Sequence, residues 1–357
     1  LITNNLNLKK IIKINKNFNI FKEEKFIKYL KLQKFKNIET SYEFLNLNMY
    51  MRLSNFLNVS ETKINISKYM GIKTLKEIKN IESCHIEDGL AVLKFIIELK
   101  QKKINSKNEY EVSEILYNKR KEGINFFRNS FDYISAFDSN AAIVHYKPHP
   151  EKSLSSKNRN LLLIDSGAQY LEGTTDITRV IKIGTKNLSR IKFSYTYMLK
   201  SLIRIENKIF PRNIRTSEID LFIRKYLSKF NITYNHGTGH GVGNFADVHE
   251  KYPIISSRSN DILVKNALFS IEPGYYVEGQ FGLRIENLYV SKISNNNLIL
   301  HNITLAPYEL NLVDWKLITT SERKHIKNYH QKIFNSFLPR LSNDYKNFFI
   351  KNLIDKI

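Results

Sequence analysis

The stretch from His236 to Glu250 constrains the fold of this chain most strongly. Its sequence, HGTGHGVGNFADVHE, holds three histidines and four of the chain's 13 glycines. Imidazole is the commonest nitrogen ligand for metal ions, and its proton is exchanged near neutral pH. Glycine lets the backbone bend sharply and approach a ligand closely. The stretch therefore predicts a site of chemistry, to which the fold must bring other functional side chains.

Two predicted hairpins each place a pair of carboxylates beside apolar strands. In the first, the apolar run before Asp165 is followed by a turn and by TTDITRV, which contains Asp176. In the second, ALFSIEPG places Glu272 before a Pro-Gly turn, and the return segment GLRIENLYV contains Glu286. Apolar runs joined by short turns are typical of antiparallel strands. A single acid at a strand end often only caps a turn, but two acids that meet across a hairpin favour a functional site.

His240 and the four acids together predict a site for divalent metal ions. Four carboxylates without counter-charge in one interior would repel one another and take up protons, and two divalent cations remove that difficulty. Oxygen ligands with one nitrogen and no thiolate favour Mn²⁺, Mg²⁺, Fe²⁺, Co²⁺ or Zn²⁺. Two such ions, about 3.5–4 Å apart, can hold a bridging water, lower its pKa and polarise a carbonyl group during hydrolysis. Metal-assisted hydrolysis is therefore the first hypothesis.

The formal net charge of +22 raises nucleic-acid binding as an alternative. The lysines, however, are spread along helical surface segments rather than interleaved with aromatic residues in one groove. We therefore expect no specific nucleic-acid partner. No apolar run reaches the length of a membrane span, so no membrane association is expected either. The single cysteine, Cys84, fits a reducing compartment, for which the cytoplasm is the default.

The segments before the first hairpin predict scaffold elements. A helix is predicted from Lys73 onward, and His85 within it is expected to be a packed or solvated side chain rather than a ligand. A second helix is predicted over Glu111–Arg128. Residues 131–147 predict a strand, a turn and a second strand that ends at His145. The position of His145 beside a proline-containing loop makes it a weak candidate for a site residue.

Several motifs of the chain closely resemble those of the pita-bread metallopeptidases. They are DSGAQYLEGTTDITR, HGTGHGVG followed by VHE, IEPGYY and GLRIEN. From about Lys73 onward, segments such as HIEDGLAV, AAIVHY and LAPYELNLVDWKLIT are similar to the long, eukaryotic-type branch of the Xaa-Pro aminopeptidases (aminopeptidase P). The resemblance implies an α+β pita-bread fold, in which helices back a curved antiparallel sheet with a metal site on its concave face. Residues 68–357 would form this catalytic domain, including a helical tail, and residues 1–67 would be a shortened remnant of a preceding αβ domain.

The resemblance also implies a role for each candidate site residue. Asp176 and Glu286 would bridge two metal ions, and Glu272 would also be the general base toward the bridging water. His249 would donate to the scissile carbonyl group, and Arg284 would orient a ligand carboxylate. The accessory histidines that line the proline side of the pocket would be His145 and His236. The full set of metal ligands would be Asp165, Asp176, His240, Glu272 and Glu286.

The implied activity is removal of an N-terminal residue that precedes proline, with a metal-bridging hydroxide as the nucleophile. The cofactor would be two divalent metal ions. Mn²⁺ is the expected metal, and Zn²⁺, Co²⁺ or Fe²⁺ are the alternatives. A cytoplasmic metallo-aminopeptidase is the resulting expectation, with a homodimer left open. The alternatives are a prolidase-type Xaa-Pro dipeptidase and a non-catalytic or degenerate pita-bread binding protein. All five ligand types and three accessory histidines argue against the binding protein, which would not need them.

The chain departs from the family pattern at a few places. Ile271 stands before the Glu-Pro-Gly motif, where the family often has an acid, and Glu172 stands where Asp is common. Ala246-Asp247 replaces the usual Leu-Asn before VHE and adds a charge near the pocket rim. The short front region leaves the substrate range and the oligomeric state open.

Overall fold

The computed structural model describes residues 22–101 and 106–357. The chain divides into two compact units, residues 1–66 and 67–357. The interpretation of residues 1–67 as the remnant of a larger αβ domain stays a prediction, and residues 1–21 of that segment lie outside the described residues.

The described part of the first unit contains two helices and two short strands. Its elements are α1 (Glu23–Leu32), β1 (Asn37–Thr40), α2 (Leu47–Ser54) and β2 (Asn58–Glu61). The two strands pair in parallel, and Asn37 lies opposite Asn58. Ile27, Leu30, Leu53 and Leu57 form its buried apolar cluster. No predicted site residue lies in this segment.

Several helices of the second unit begin with side-chain caps. Thr74 accepts a hydrogen bond from the backbone N–H of Glu77, whose carboxylate accepts from Thr74 N in return, and this capping box fixes where the longest helix begins. The second predicted helix ends at Lys121 rather than at Arg128, because Gly123 and a left-handed Asn125 turn the chain into a strand. The helices are α3 (Ile66–Gly71), α4 (Leu75–Lys100), α5 (Glu109–Lys121), α6 (Ser189–Glu206), α7 (Thr216–Ser228), α8 (Thr320–Phe337) and α9 (Asn343–Phe349).

Four antiparallel sheets lie among the described residues of the second unit. In a three-stranded sheet, β4 (Ile134–Phe137) and β8 (Ile177–Lys182) flank β5 (Leu161–Ser166). A five-stranded sheet has the order β10–β9–β11–β14–β15. The other two sheets are β3–β6–β7 and the hairpin β12–β13. The remaining bounds are β3 (Phe126–Asn129), β6 (Ala168–Tyr170), β7 (Gly173–Thr174), β9 (Gly239–Gly241), β10 (Glu250–Ile255), β11 (Leu268–Ile271), β12 (Gly274–Val277), β13 (Phe281–Arg284), β14 (Asn287–Ser294) and β15 (Asn297–Asn302).

The predicted second strand ending at His145 is wrong. After β4 the chain forms a 3₁₀ turn over Asp138–Ala142, and His145 lies in the irregular segment beyond it. Asp138 has a left-handed backbone, with φ of 43°, and its carboxylate accepts hydrogen bonds from the N–H groups of Asn160 and Leu161. This carboxylate therefore holds the turn against the start of β5 and prevents a regular hairpin.

Helices cover the sheets through one large apolar cluster. It joins Leu93 of α4 and Met198 of α6 to Leu163 of β5, Phe269 of β11 and Leu283 of β13. Full burial of such side chains stabilises a fold by about 1.5–3 kcal/mol each. The arrangement is α+β, as predicted. None of the described helices is long and apolar enough to cross a membrane.

Candidate metal centre

The predicted acids all lie at the ends of strands. Asp165 is near the end of β5, where it pairs with Thr178 of β8, and Asp176 directly precedes β8. Glu272 directly follows β11. Glu286 does not lie inside one continuous return strand, as the sequence suggests: it follows β13, which pairs with β12, and precedes β14, which pairs with β11. The strand pairing changes at this point, so Glu286 lies in the short segment between β13 and β14 rather than within a strand.

Glycines allow the strand that holds His240 to fit between its neighbours. A Cβ atom on Gly239 would lie 1.9 Å from the carbonyl oxygen of Ser270 in β11. A Cβ atom on Gly241 would lie 2.2 Å from the carbonyl oxygen of Tyr252 in β10. Only glycine permits so close an approach of backbones. The glycine-rich stretch thus places His240 between β10 and β11 in the five-stranded sheet.

The structure brings all five predicted ligands together. Three overlapping groups have one potential ligand atom per residue within 4.8 Å of one another. His240 Nε2 lies 3.4 Å from Asp176 Oδ2 and 3.5 Å from Glu272 Oε1. His240 Nδ1 donates to the carbonyl oxygen of Gly241 at 2.9 Å, so the lone pair of Nε2 points to the acids. The groups are Asp165–Asp176–Glu286, His240–Glu272–Glu286 and Asp176–His240–His249.

The electrostatics of the cluster fit divalent metal ions. Burial raises the pKa of Asp176 and of Glu286 well above the ordinary value, and the neighbouring carboxylates raise both further. Burial also raises the pKa of Glu272. Within the described residues, no hydrogen-bond donor reaches Asp165 Oδ1, Asp176 Oδ1 or Glu286 Oε1, although all three atoms are buried. Buried carboxylate oxygens without donors are what cations such as Mn²⁺ or Zn²⁺ require as ligands.

Arg284 connects two of the acids to the surrounding scaffold. Its Nη2 donates to Asp165 Oδ2 at 2.5 Å, and its Nη1 donates to the hydroxyl oxygen of Tyr276 at 2.8 Å. Its Nε donates to Thr178 Oγ1 at 3.2 Å, and Thr178 in turn donates to Glu286 Oε2 at 2.8 Å. Thr178 and Tyr276 were not singled out from the sequence. The alternation in TTDIT puts Thr178 on the same strand face as Asp176, and this pattern could have indicated Thr178 as a site residue. No local pattern indicates Tyr276.

The three accessory histidines line the same cleft, whose volume is about 530 Å³. The ring of His249 lies 4.0 Å from that of His240, centroid to centroid, and His236 Nε2 accepts from the Tyr276 hydroxyl at 2.9 Å. Burial lowers the pKa of His236 and of His249 to about 4, so both are neutral at physiological pH. His145 reaches the cleft from the exposed segment after the 3₁₀ turn.

One further histidine was expected to be structural. His85 is buried in α4, and its Nδ1 contacts the carbonyl oxygen of Ile81 at 2.8 Å. It takes no part in the three ligand groups. His85 is therefore a packed side chain, as predicted.

Sequence comparison links this site to a known family. Residues 79–292 match the model of metallopeptidase family M24, and residues 297–353 match the C-terminal region of that family. Curated relatives include a protein named "Probable Xaa-Pro aminopeptidase P" from Podospora anserina, 35% identical over 80% of this chain and 44% of its own length. A relative of the same name from Arthroderma otae is 37% identical over 80% of this chain and 48% of its own length. The chain thus spans less than half the length of these relatives.

Solved structures share the fold. An X-prolyl aminopeptidase from Caenorhabditis elegans, described as a cytosolic enzyme with a di-nuclear active site, has a TM-score of 0.84 and 25% identity. The alignment covers 98% of this chain and 60% of that one. An X-Pro aminopeptidase from Thermotoga maritima has a TM-score of 0.72 and 24% identity, over 87% of this chain and 86% of that one. The prolidase from Pyrococcus furiosus has a TM-score of 0.68 and 22% identity, over 83% and 84%. The predicted pita-bread fold is confirmed by these matches.

Proposed function

The chain belongs to metallopeptidase family M24, and on that premise we propose that it is a two-metal aminopeptidase that removes an N-terminal residue preceding proline. The observation that supports this most directly is the set of three interlocking ligand groups within 4.8 Å, built from the five predicted ligands and His249. The names of the relatives support the choice of the Xaa-Pro bond. Because the chain spans less than half of those relatives, its own activity is part of the proposal.

The metal ions would be held by the four carboxylates and His240. When bound, they would supply Lewis acidity and a bridging hydroxide as the nucleophile. The unpartnered carboxylate oxygens of Asp165, Asp176 and Glu286 support this assignment, since each would gain a cation as its partner. Arg284 would hold Asp165 in the orientation that the site needs, through the hydrogen bond at 2.5 Å.

The chain's own residues would then handle the substrate and the proton. Glu272 would accept the proton of the attacking water and pass it to the leaving proline nitrogen, since its carboxylate lies in the ligand group with His240 and Glu286 and so beside the reacting atoms. His249, neutral at pH 7, would donate a hydrogen bond to the scissile carbonyl oxygen. His145 and His236 would line the side of the cleft that receives proline. Proline lacks an N–H and has a constrained geometry, so this bond needs a dedicated cleft.

Further parts of the proposal follow from the resemblance. We expect Mn²⁺ as the metal, a cytoplasmic location, and peptides longer than two residues among the substrates. The prolidases among the solved structures that share the fold make dipeptides the alternative substrate class. A homodimer stays open.

Hydrolysis of Arg-Pro-Pro by metal-stripped protein, with and without added Mn²⁺, tests the proposal. We expect release of arginine only after metal is restored, no release from Arg-Ala-Pro, and about two ions per chain by elemental analysis. Hydrolysis of the dipeptide Arg-Pro tests the alternative of a prolidase-type dipeptidase. Two bound ions without hydrolysis of any peptide would favour a degenerate binding protein, and folded protein without metal binding would contradict the site itself.

A further inference from the structure

The segment between β4 and β5 carries His145 into the candidate metal cleft. Val144 and His145 both line the cleft, together with His236 and His249. His145 is exposed, and the described residues 143–153 around it form neither a helix nor a strand. An exposed side chain on irregular backbone gains little from packing. Its place in the cleft therefore depends on contacts that other residues of the segment make.

Glu109, the first residue of α5, holds this segment at several points. The residue is fully buried. Its carboxylate accepts from the N–H group of Phe137 at 2.6 Å and from that of Leu154 at 2.9 Å, at the two ends of the segment. It also accepts from the hydroxyl of Tyr146 at 2.6 Å and, with both oxygens, from the side-chain amide of Asn140 at 3.1 Å. Hydrogen bonds to a charged acceptor are about twice as strong as neutral ones, so this carboxylate is a strong anchor.

Tyr146 joins the anchor to the histidine. It directly follows His145, and its hydroxyl oxygen also accepts from the side-chain amide of Asn140 at 3.0 Å. Burial and the neighbouring Glu109 raise the pKa of Tyr146 to about 12, so the hydroxyl keeps its proton and remains a donor. Neither Tyr146 nor Glu109 is among the described residues that line the cleft. The two neighbouring side chains thus serve opposite sides: Tyr146 contacts the anchor, and His145 faces the cleft.

We propose that Glu109 and Tyr146 are positioning residues, which hold His145 where the proline side of a peptide would contact it. The proposal rests on the proposed aminopeptidase function. An acid at the start of a helix is also favourable for the helix alone, because it interacts with the N-terminal end of the helix dipole. That role requires neither burial nor donors from both ends of the segment, and Glu109 has both.

A double-mutant cycle between Tyr146 and His145 tests the proposal. Tyr146→Phe removes one hydroxyl and leaves the other donors of Glu109 bonded, so the fold should persist. With Arg-Pro-Pro as substrate and Mn²⁺ present, we expect Tyr146→Phe to lower kcat/KM by about fivefold, mainly through KM. His145→Ala should lower it by about tenfold, and the double variant should lose no more than His145→Ala does. Tyr110→Phe, at the half-buried position next to Glu109 on α5, is the matched control and should keep the wild-type value.

Two further measurements separate this role from general damage to the enzyme. Glu109 and Tyr146 do not belong to the potential ligand groups of the described residues, so Tyr146→Phe and Glu109→Gln should each retain two metal ions per chain. Hydrogen exchange, followed by mass spectrometry, should become faster over residues 137–154 in both variants, and more so in Glu109→Gln, which disturbs all four donors. Exchange in α8 should stay at the wild-type rate.

The outcomes distinguish this inference from the proposed function. An unchanged kcat/KM in Tyr146→Phe would overturn the inference and leave the peptidase assignment intact. Losses that add in the double variant would do the same, because Tyr146 would then act without His145. If the wild type hydrolyses no peptide, the proposed function fails. Calorimetric affinities of Arg-Pro-Pro for the wild type and Tyr146→Phe then decide the role of the anchor, and equal affinities would overturn it.

Discussion

Arg284 Nη2 lies 2.5 Å from Asp165 Oδ2, and both side chains are buried. The guanidinium also bonds Thr178 and Tyr276, so it fixes the carboxylate from a rigid frame. We expect Arg284→Met to weaken metal binding by about 10- to 100-fold, because Asp165 would lose both its orientation and its counter-charge. Competition with a fluorescent chelator measures this affinity. Arg190→Met, at an exposed position, is the control, and equal affinities in both variants would contradict the role.

His249 offers the clearest distinction between a ligand and a substrate contact. It shares a potential ligand group with Asp176 and His240, whereas the resemblance predicts that it touches the substrate. We expect His249→Ala to lower kcat/KM by at least about a hundredfold and to retain two ions per chain. Asp176→Asn, by contrast, should lose metal. Elemental analysis of both variants decides the question, and loss of an ion from His249→Ala would make it a ligand.

The positions of the four candidate acids were predictable because each stands beside an apolar run. A carboxylate in such a place has few stable partners other than a cation. Asp165 and Asp176 could be placed together from the hairpin pattern alone, and the structure pairs β5 with β8 as expected. The assignment of the candidate ligands and accessory histidines as one set came from the resemblance, because spacing alone does not exclude a structural ion pair.

The strand boundaries were not predictable, since they depend on distant contacts. Glu286 lies between two strands that pair with different partners, although GLRIENLYV has apolar residues on both sides of this acid. The strand expected to end at His145 is replaced by a turn that Asp138 holds against the start of β5, which is 23 residues away in sequence. Tyr276 likewise meets His236 and Arg284 only through the fold. Local patterns do not contain such information.

The buried ion pair of Lys73 and Glu250 should be a strong stability determinant. Its atoms are 2.7 Å apart, and the side chains are 2% and 7% exposed. Lys73→Met would leave a buried carboxylate without its cation, and we expect a loss of about 3–5 kcal/mol in the free energy of unfolding. The double variant Lys73→Met/Glu250→Gln should recover most of this loss. Urea unfolding tests both, with Lys76→Met at an exposed helix position as the control; additive losses in the double variant would contradict the coupling.

His330 should make the stability of the second unit depend on pH. It is fully buried in α8, where its Nε2 accepts from Tyr308 N at 3.2 Å and its Nδ1 donates to the carbonyl oxygen of Leu353 at 2.8 Å. Burial lowers its pKa from 6.5 to about 4. The unfolded chain therefore binds this proton at a higher pH than the folded chain does.

The sign of the effect follows from that difference. The contribution of His330 is fully present above about pH 6.5 and is lost as the pH falls toward about 4, by up to about 3 kcal/mol. We expect His330→Gln to be less stable at pH 7 and to lose less stability between pH 7 and 4.5 than the wild type. Urea unfolding across that range, at one fixed metal concentration, measures the difference in slope. His149→Gln, at an exposed loop position, should retain the wild-type slope, and a slope unchanged in His330→Gln would mean that another group governs the acid sensitivity.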